Sequence, residues 1–244
     1  TAMWDKITIA DEGNGNWALS QDKTKYYIQS QWDDDEYTDL AIVNMNTGER
    51  RNVASKVNAK ARISPDGKYL IWYNWNDSAF FTYNIETEQT VNLTRHLGVN
   101  FYDEEDDHPN YPSPYDTDPL WTKGDKSVLI SDRYDVWKLN PDGKGAENLT
   151  QGKGREKLIQ LRHKSYAQHP AVHSTFWKEK EAIDNDATLY MTAFDERSKQ
   201  NGFATVNVAD GKTFVINKLD TFGYKNIYKA ELANVIAYEK GNFS

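Results

Sequence analysis

The chain has 244 residues, with 29 Lys and Arg against 37 Asp and Glu for a net charge of −8, and 13% of its residues are aromatic. That length holds one large all-β domain or two ordinary ones, and the acidic balance argues against nucleic-acid binding, which depends on clustered Lys and Arg. With no cysteine, disulfides, thiolate catalysis and thiolate metal sites are all excluded.

Aromatic and β-branched residues dominate the apolar set, and 3.6-residue periodicity is scarce, so strands are expected. The longest apolar run, near residues 69–73, is far short of the roughly 20 residues of a membrane helix, so no membrane span is expected. A unit recurs along the chain. Its first copy, residues 14–56, is degenerate, runs from Trp17 to Val53, contains the acidic run Asp33-Asp34-Asp35-Glu36 and makes its last turn at Thr47-Gly48. The second copy, 57–95, is the clearest, with strands predicted at 61–64, 69–75, 80–85 and 90–94. Its first turn is Pro65-Asp66-Gly67-Lys68, where Pro fixes φ and Gly tolerates positive φ, and it closes on Asn92-Leu93-Thr94.

An acidic, proline-rich insertion follows at 96–115. The third copy, 116–152, turns at Lys123-Gly124-Asp125-Lys126 and Pro141-Asp142-Gly143 and closes on Asn148-Leu149-Thr150. A fourth, 153–220, has strands predicted at 188–194, 202–208 and 213–216, a last turn at Ala209-Asp210-Gly211 and a charged insertion at 177–186. A further unit begins within 221–244. Four antiparallel strands in each repeat of about forty residues predict an all-β fold, a β-propeller of four-stranded antiparallel blades. About four to five blades are expected, which is a partial propeller. A sandwich would need Greek-key crossovers, whereas one turn order recurring in register fits repeated meanders.

The run from Ser64 through Pro65, Asp66, Gly67, Lys68 and Tyr69 to Trp72, with its closing Asn92-Leu93-Thr94, resembles the propeller repeats of TolB-type proteins and of the prolyl oligopeptidase family. Residues 121–138 and the acidic stretch before them, with 47–53 and 60–73, are similar to the propeller portion of dipeptidyl peptidase IV-like serine peptidases of the Bacteroidetes type. The likeness covers residues 39–160 well and the remainder loosely. It implies a non-catalytic N-terminal propeller region of a periplasmic or otherwise exported peptidase. The partner so implied is a C-terminal α/β-hydrolase domain of the same protein, and the substrates are peptides. None of the twelve serines sits in a G-x-S-x-G elbow, and no alternating βα pattern could build a hydrolase sheet. No catalytic residue, metal or cofactor is expected in these 244 residues.

In the same branch of the family, a pair of glutamates in an interblade insertion holds the substrate's free α-amino group, and Glu104 and Glu105 match that pair in type and rough position. Two adjacent carboxylates suit a primary ammonium, which offers three donors and a full charge. The bland reading of the run Asp103-Glu104-Glu105-Asp106-Asp107 is a solvated loop, and the extra flanking acids depart from the family pattern. Asp33-Asp34-Asp35-Glu36 lacks a D-x-D-x-D-G calcium loop and reads as a hairpin tip. His163, His169 and His173 cluster in sequence, but Pro170 argues against the helix that would bring His169 and His173 onto one zinc. The sequons at Asn92 and Asn148 are the strand-closing motif itself, and a third lies at Asn242. A reading from another class also fits the repeats: a stand-alone TolB-like propeller that binds protein or glycan partners.

Overall fold

A computed structural model describes residues 16–23, 37–107, 111–116, 118–163, 182–230, 233 and 235–242. The acidic run Asp33-Asp34-Asp35-Glu36, His169 and His173 lie outside the described residues. The fold is all-β, assembled from antiparallel meanders of propeller-blade type. Its chain divides into two compact units, residues 1–114 with 141–143, and residues 115–140 with 144–244.

The first unit holds one six-stranded sheet in the order β1 (Trp17–Asp22), β2 (Tyr37–Asn44), β3 (Arg50–Ile63), β4 (Tyr69–Asn74), β5 (Ala79–Asn84) and β6 (Thr90–Asn92). One long strand serves two repeats: β3 pairs with β2 through residues 50–58 and with β4 through residues 59–63. A bulge beside β2 marks the change, with Lys56 at φ 51° and its N–H donated to Asp39 Oδ1 at 2.9 Å. Leu19, Leu40, Ile42, Leu70, Trp72 and Tyr83 form the core of this sheet.

In the second unit, β7 (Leu120–Trp121), β8 (Val128–Ser131), β9 (Val136–Leu139) and β10 (Ala146–Asn148) make one four-stranded sheet. The short helix α1 (Lys153–Lys157) leads to a second, built from β11 (Ile159–His163), β12 (Thr188–Asp195), β13 (Asn201–Asn207) and β14 (Val215–Asp220). A hairpin of β15 (Gly223–Lys229) and β16 (Ile236–Gly241) follows. The two four-stranded sheets share a core that includes Leu129, Val136, Leu149, Leu161, Leu189 and Val206. Strand β14 begins two residues later than its predicted span and extends to Asp220. The cause is a 3-10 turn at Gly211–Thr213, where the Asp210 side chain accepts from Lys212 N–H.

Local chemistry explains why the repeats close alike. In Asn92-Leu93-Thr94 the Asn92 Oδ1 accepts from Thr94 N at 3.1 Å and Arg95 N at 2.9 Å, and Thr94 Oγ1 accepts from Phe80 N at 3.0 Å. Asn148 and Thr150 repeat the arrangement, with Asn148 Oδ1 taking Thr150 N and Thr150 Oγ1 taking Val136 N. Leu93 and Leu149 between them are fully buried, each stabilising by about 1.5–3 kcal/mol. The hydrogen-bonding asparagines and buried leucines account for both sequons structurally.

Three hairpin turns, those after β2, β5 and β12, share one construction. Asn44, Asn84 and Asp195 end their strands, and each Oδ1 caps two backbone N–H groups of the turn that follows. Four residues after each of these lies a left-handed backbone at Gly48, Glu88 and Lys199, with φ of 75°, 58° and 57°. Only the first is glycine, the residue that adopts this conformation without a Cβ penalty.

Candidate functional site

The acidic insertion is built on the aromatic end of the first unit's sheet. Tyr73 on β4 is 3% exposed and meets Trp75 and Phe80 edge-on, with ring centroids 5.3 and 5.1 Å apart, and Phe80 meets the buried Phe101 the same way at 6.5 Å. From Phe101 the chain runs outward, turns at residues 103–106 and returns through residues 111–114. The two arms are joined by a bridge between Tyr102 and Pro114, by Asp103 N–H donating to Ser113 O at 2.7 Å, and by Ser113 N–H donating to Asp106 Oδ2 at 3.2 Å.

Glu104 and Glu105 occupy the tip of that turn, and both are exposed. Asp103 Oδ1 accepts from Glu105 N at 3.0 Å, which tightens the turn, and Asn100 Nδ2 donates to Glu104 Oε1 at 2.8 Å. Tyr73 reaches the insertion from the sheet, its hydroxyl donating to Pro112 O at 3.0 Å. Burial pushes this hydroxyl's pKa up to about 12, against a lowering bond with Ser78.

A second concentration of polar side chains, which the sequence did not single out, lies in the second unit where the β8–β9 loop, α1 and the β12–β13 hairpin meet. Asp132 is buried and accepts from Tyr134 N, Asp135 N and Trp137 Nε1 at 2.6, 2.8 and 3.0 Å. Asp135, also buried, accepts from Thr150 Oγ1 at 2.6 Å, Gly154 N at 3.0 Å and Arg155 N at 3.3 Å. Above them Glu196 takes a forked contact from Arg133 at 3.0 and 3.2 Å, Tyr134 OH at 2.8 Å and Gln160 Nε2 at 2.8 Å. Burial opposes the Glu196 charge, yet the bonds from Gln160, Tyr134 and Arg133 outweigh it and hold the carboxyl below its ordinary range. Burial and the bond to Glu196 raise the pKa of Tyr134. The only sequence signal for this cluster was the alternation of charge and aromatics in Asp132-Arg133-Tyr134-Asp135.

These carboxylates are consumed by structure. Each of the three takes at least three donors, which is how buried charge is made tolerable. His163 behaves likewise: its Nε2 contacts Asp116 Oδ2 at 2.6 Å, and Asp116 also accepts from Ser131 N at 2.8 Å and Asp118 N at 3.0 Å. Burial works against the Asp116 charge, but the imidazole and these bonds together hold its carboxyl below the usual value. Ser131 and His163 share that one carboxylate oxygen, and Ser131 Oγ and His163 Nδ1 are buried without a hydrogen-bond partner among the described residues. The three side chains are buried where the end of β8, the end of β11 and the loop before β7 come together. Among the described residues no group of three His, Asp or Glu converges to hold a metal ion. None of the described helices is long and apolar enough to cross a membrane.

No protein-family model and no curated protein matches this chain. Among solved structures it is similar to the putative TolB from Agrobacterium tumefaciens, at 11% identity and a TM-score of 0.41 over 84% of this chain and 62% of that one. It is similar to the tricorn protease at 12% identity and a TM-score of 0.36, covering 94% of this chain and 24% of that one. Similarity extends to the β-propeller domain of the Trilobed protease from Pyrococcus furiosus, at 12% identity and a TM-score of 0.38 over 95% and 76%. The chain thus spans less than two thirds of the length of the first two.

Proposed function

We propose that these 244 residues are the non-catalytic propeller region of an exported serine peptidase of the prolyl oligopeptidase and dipeptidyl peptidase IV type. In this reading the region admits and binds peptide substrates for an α/β-hydrolase domain of the same protein, and Glu104 and Glu105 receive the peptide's free amino terminus. Acyl transfer to serine and then to water belongs to the hydrolase domain. The observation that carries the reading is the acidic turn, which presents two adjacent exposed carboxylates, one of them oriented by Asn100. An ammonium has three donors to share between such a pair, and the surrounding negative charge favours peptides with a free N-terminus over blocked ones.

Two measurements test this. The reading frame is expected to continue past Ser244 into further strands and a G-x-S-x-G segment, and a stop close to Ser244 would overturn the peptidase assignment. In the full-length protein, Glu104→Gln with Glu105→Gln is expected to raise KM for free-amine peptides at least tenfold while moving KM for N-acetylated peptides less than twofold. The tenfold rise is about 1.4 kcal/mol, close to the lower end of the roughly 1.5–3 kcal/mol of a charge-assisted contact. Equal changes on both substrates would remove Glu104 and Glu105 from binding.

A further inference from the structure

We infer that Tyr73 is the latch of the acidic insertion, and that its hydroxyl holds the outgoing turn at residues 103–106 by way of the returning arm at residues 111–114. The ring is fixed by the sheet, since Tyr73 is buried on β4 and packed edge-on against Trp75 and Phe80. Its hydroxyl is the atom that leaves the sheet, bonding the carbonyl of Pro112, 39 residues further along the chain.

Within the arm, Pro112 and Pro114 carry no N–H, and Pro114 is buried and bridged to Tyr102. Ser113 is the residue that grips the turn, accepting from Asp103 N–H and donating to Asp106 Oδ2. A continuous relay therefore runs from Tyr73 to Pro112, on to Ser113, and from there to both ends of the turn. Its first link is a single hydroxyl. Short segments with few buried contacts open locally, independent of global unfolding, and the hydroxyl sets how often this one does.

Amide hydrogen exchange on the 244-residue chain tests the latch. Tyr73→Phe keeps the ring and its packing and removes the hydroxyl, with its bond to Pro112 O and its bond with Ser78. The Asp103 amide, which Tyr73 does not touch, is expected to exchange about five- to tenfold faster, the effect of one net hydrogen bond. Amides of Leu70, Ile71 and Trp72 in β4 are expected to hold their rates. An unchanged Asp103 amide, or equal acceleration throughout β4, would overturn the latch. Asp106→Ala, which removes the acceptor of Ser113 N–H at the far end of the relay, provides a second reading. It is expected to accelerate the Asp103 amide in the same way, and combined with Tyr73→Phe to give less than the product of the two effects. A full product would show two independent attachments and overturn the relay.

One consequence rests on the proposed amine-binding role of Glu104 and Glu105: Tyr73→Phe should then reduce the preference for free-amine over N-acetylated peptides severalfold. If the double glutamine variant loses that preference and Tyr73→Phe does not, the latch fails as a positioning device while the binding role stands. If neither variant loses it, the binding role fails, and the exchange result alone decides the latch.

Discussion

Asp135→Ala is expected to destabilise the protein by about 3–5 kcal/mol, the range of losses produced by breaking a buried polar network. The carboxylate is 1% exposed and joins three parts of the second unit: its own β8–β9 loop, the closing Thr150 and the first turn of α1. Alanine leaves Gly154 N–H and Arg155 N–H without their acceptor, and Thr150 Oγ1 with Asn148 Oδ1 alone at 3.0 Å. The buried Gly154 amide then carries the largest penalty, because water cannot replace the lost oxygen. Val136 N–H also depends on this arrangement, since it donates to the same Thr150 oxygen that donates to Asp135. Urea unfolding of the variant measures the effect as a lower midpoint at unchanged slope. A loss below about 1 kcal/mol would show that solvent reaches these amides and that the carboxylate is not what joins the three segments.

What the sequence announced in advance was the chemistry that acts over a few residues. The turn at Pro65-Asp66-Gly67-Lys68, with Gly67 at φ 72°, and the Asn92 cap of the closing Asn92-Leu93-Thr94 depend on neighbours two to five positions away, so their spacing alone predicts strands and turns. Glu104 and Glu105 could be placed together for the same reason, being adjacent in the chain. Their support could not be foreseen, because the Tyr73 hydroxyl meets the insertion from 39 residues away and one tyrosine among 15 carries no mark of that role. His163 illustrates the limit from the other side. Sequence proximity groups it with His169 and His173, whereas folding gives it Asp116, 47 residues earlier. Left-handed turns were legible only where glycine fills them: Gly48 advertises its φ, while Glu88 and Lys199 adopt nearly the same backbone because the capping Asn84 and Asp195 impose it. Asp135 has no counterpart in the clearest repeat, where Ala79 precedes Phe80 as Asp135 precedes Val136, so comparing repeats could not disclose its part.

Gly154→Ala is expected to cost about 3 kcal/mol by a route that converges on the same carboxylate. Gly154 is buried in the first turn of α1, and a Cβ there would collide with Tyr134 O and stand 2.9 Å from both Asp135 Oδ1 and Ile159 O. Two of those three obstacles are backbone carbonyls held by pairing: Leu161 N–H donates to Tyr134 O, and Ile159 begins β11. A rotamer change cannot relieve such contacts, so the helix must shift, and overpacking of this kind costs about 1–3 kcal/mol before any hydrogen bond is lost. The shift also stretches the Gly154 N–H bond to Asp135, which raises the total. The two substitutions should therefore be coupled. In the Asp135→Ala background one obstacle and the bond at risk are already gone, so Gly154→Ala is expected to cost about 1 kcal/mol less than in the wild type. A double-mutant cycle in urea measures that difference. Strict additivity would place the collision on the Tyr134 and Ile159 carbonyls alone and remove Asp135 from the seating of α1, whereas coupling of the expected sign makes the carboxylate and the glycine one joint, required wherever the β8–β9 loop is held against α1.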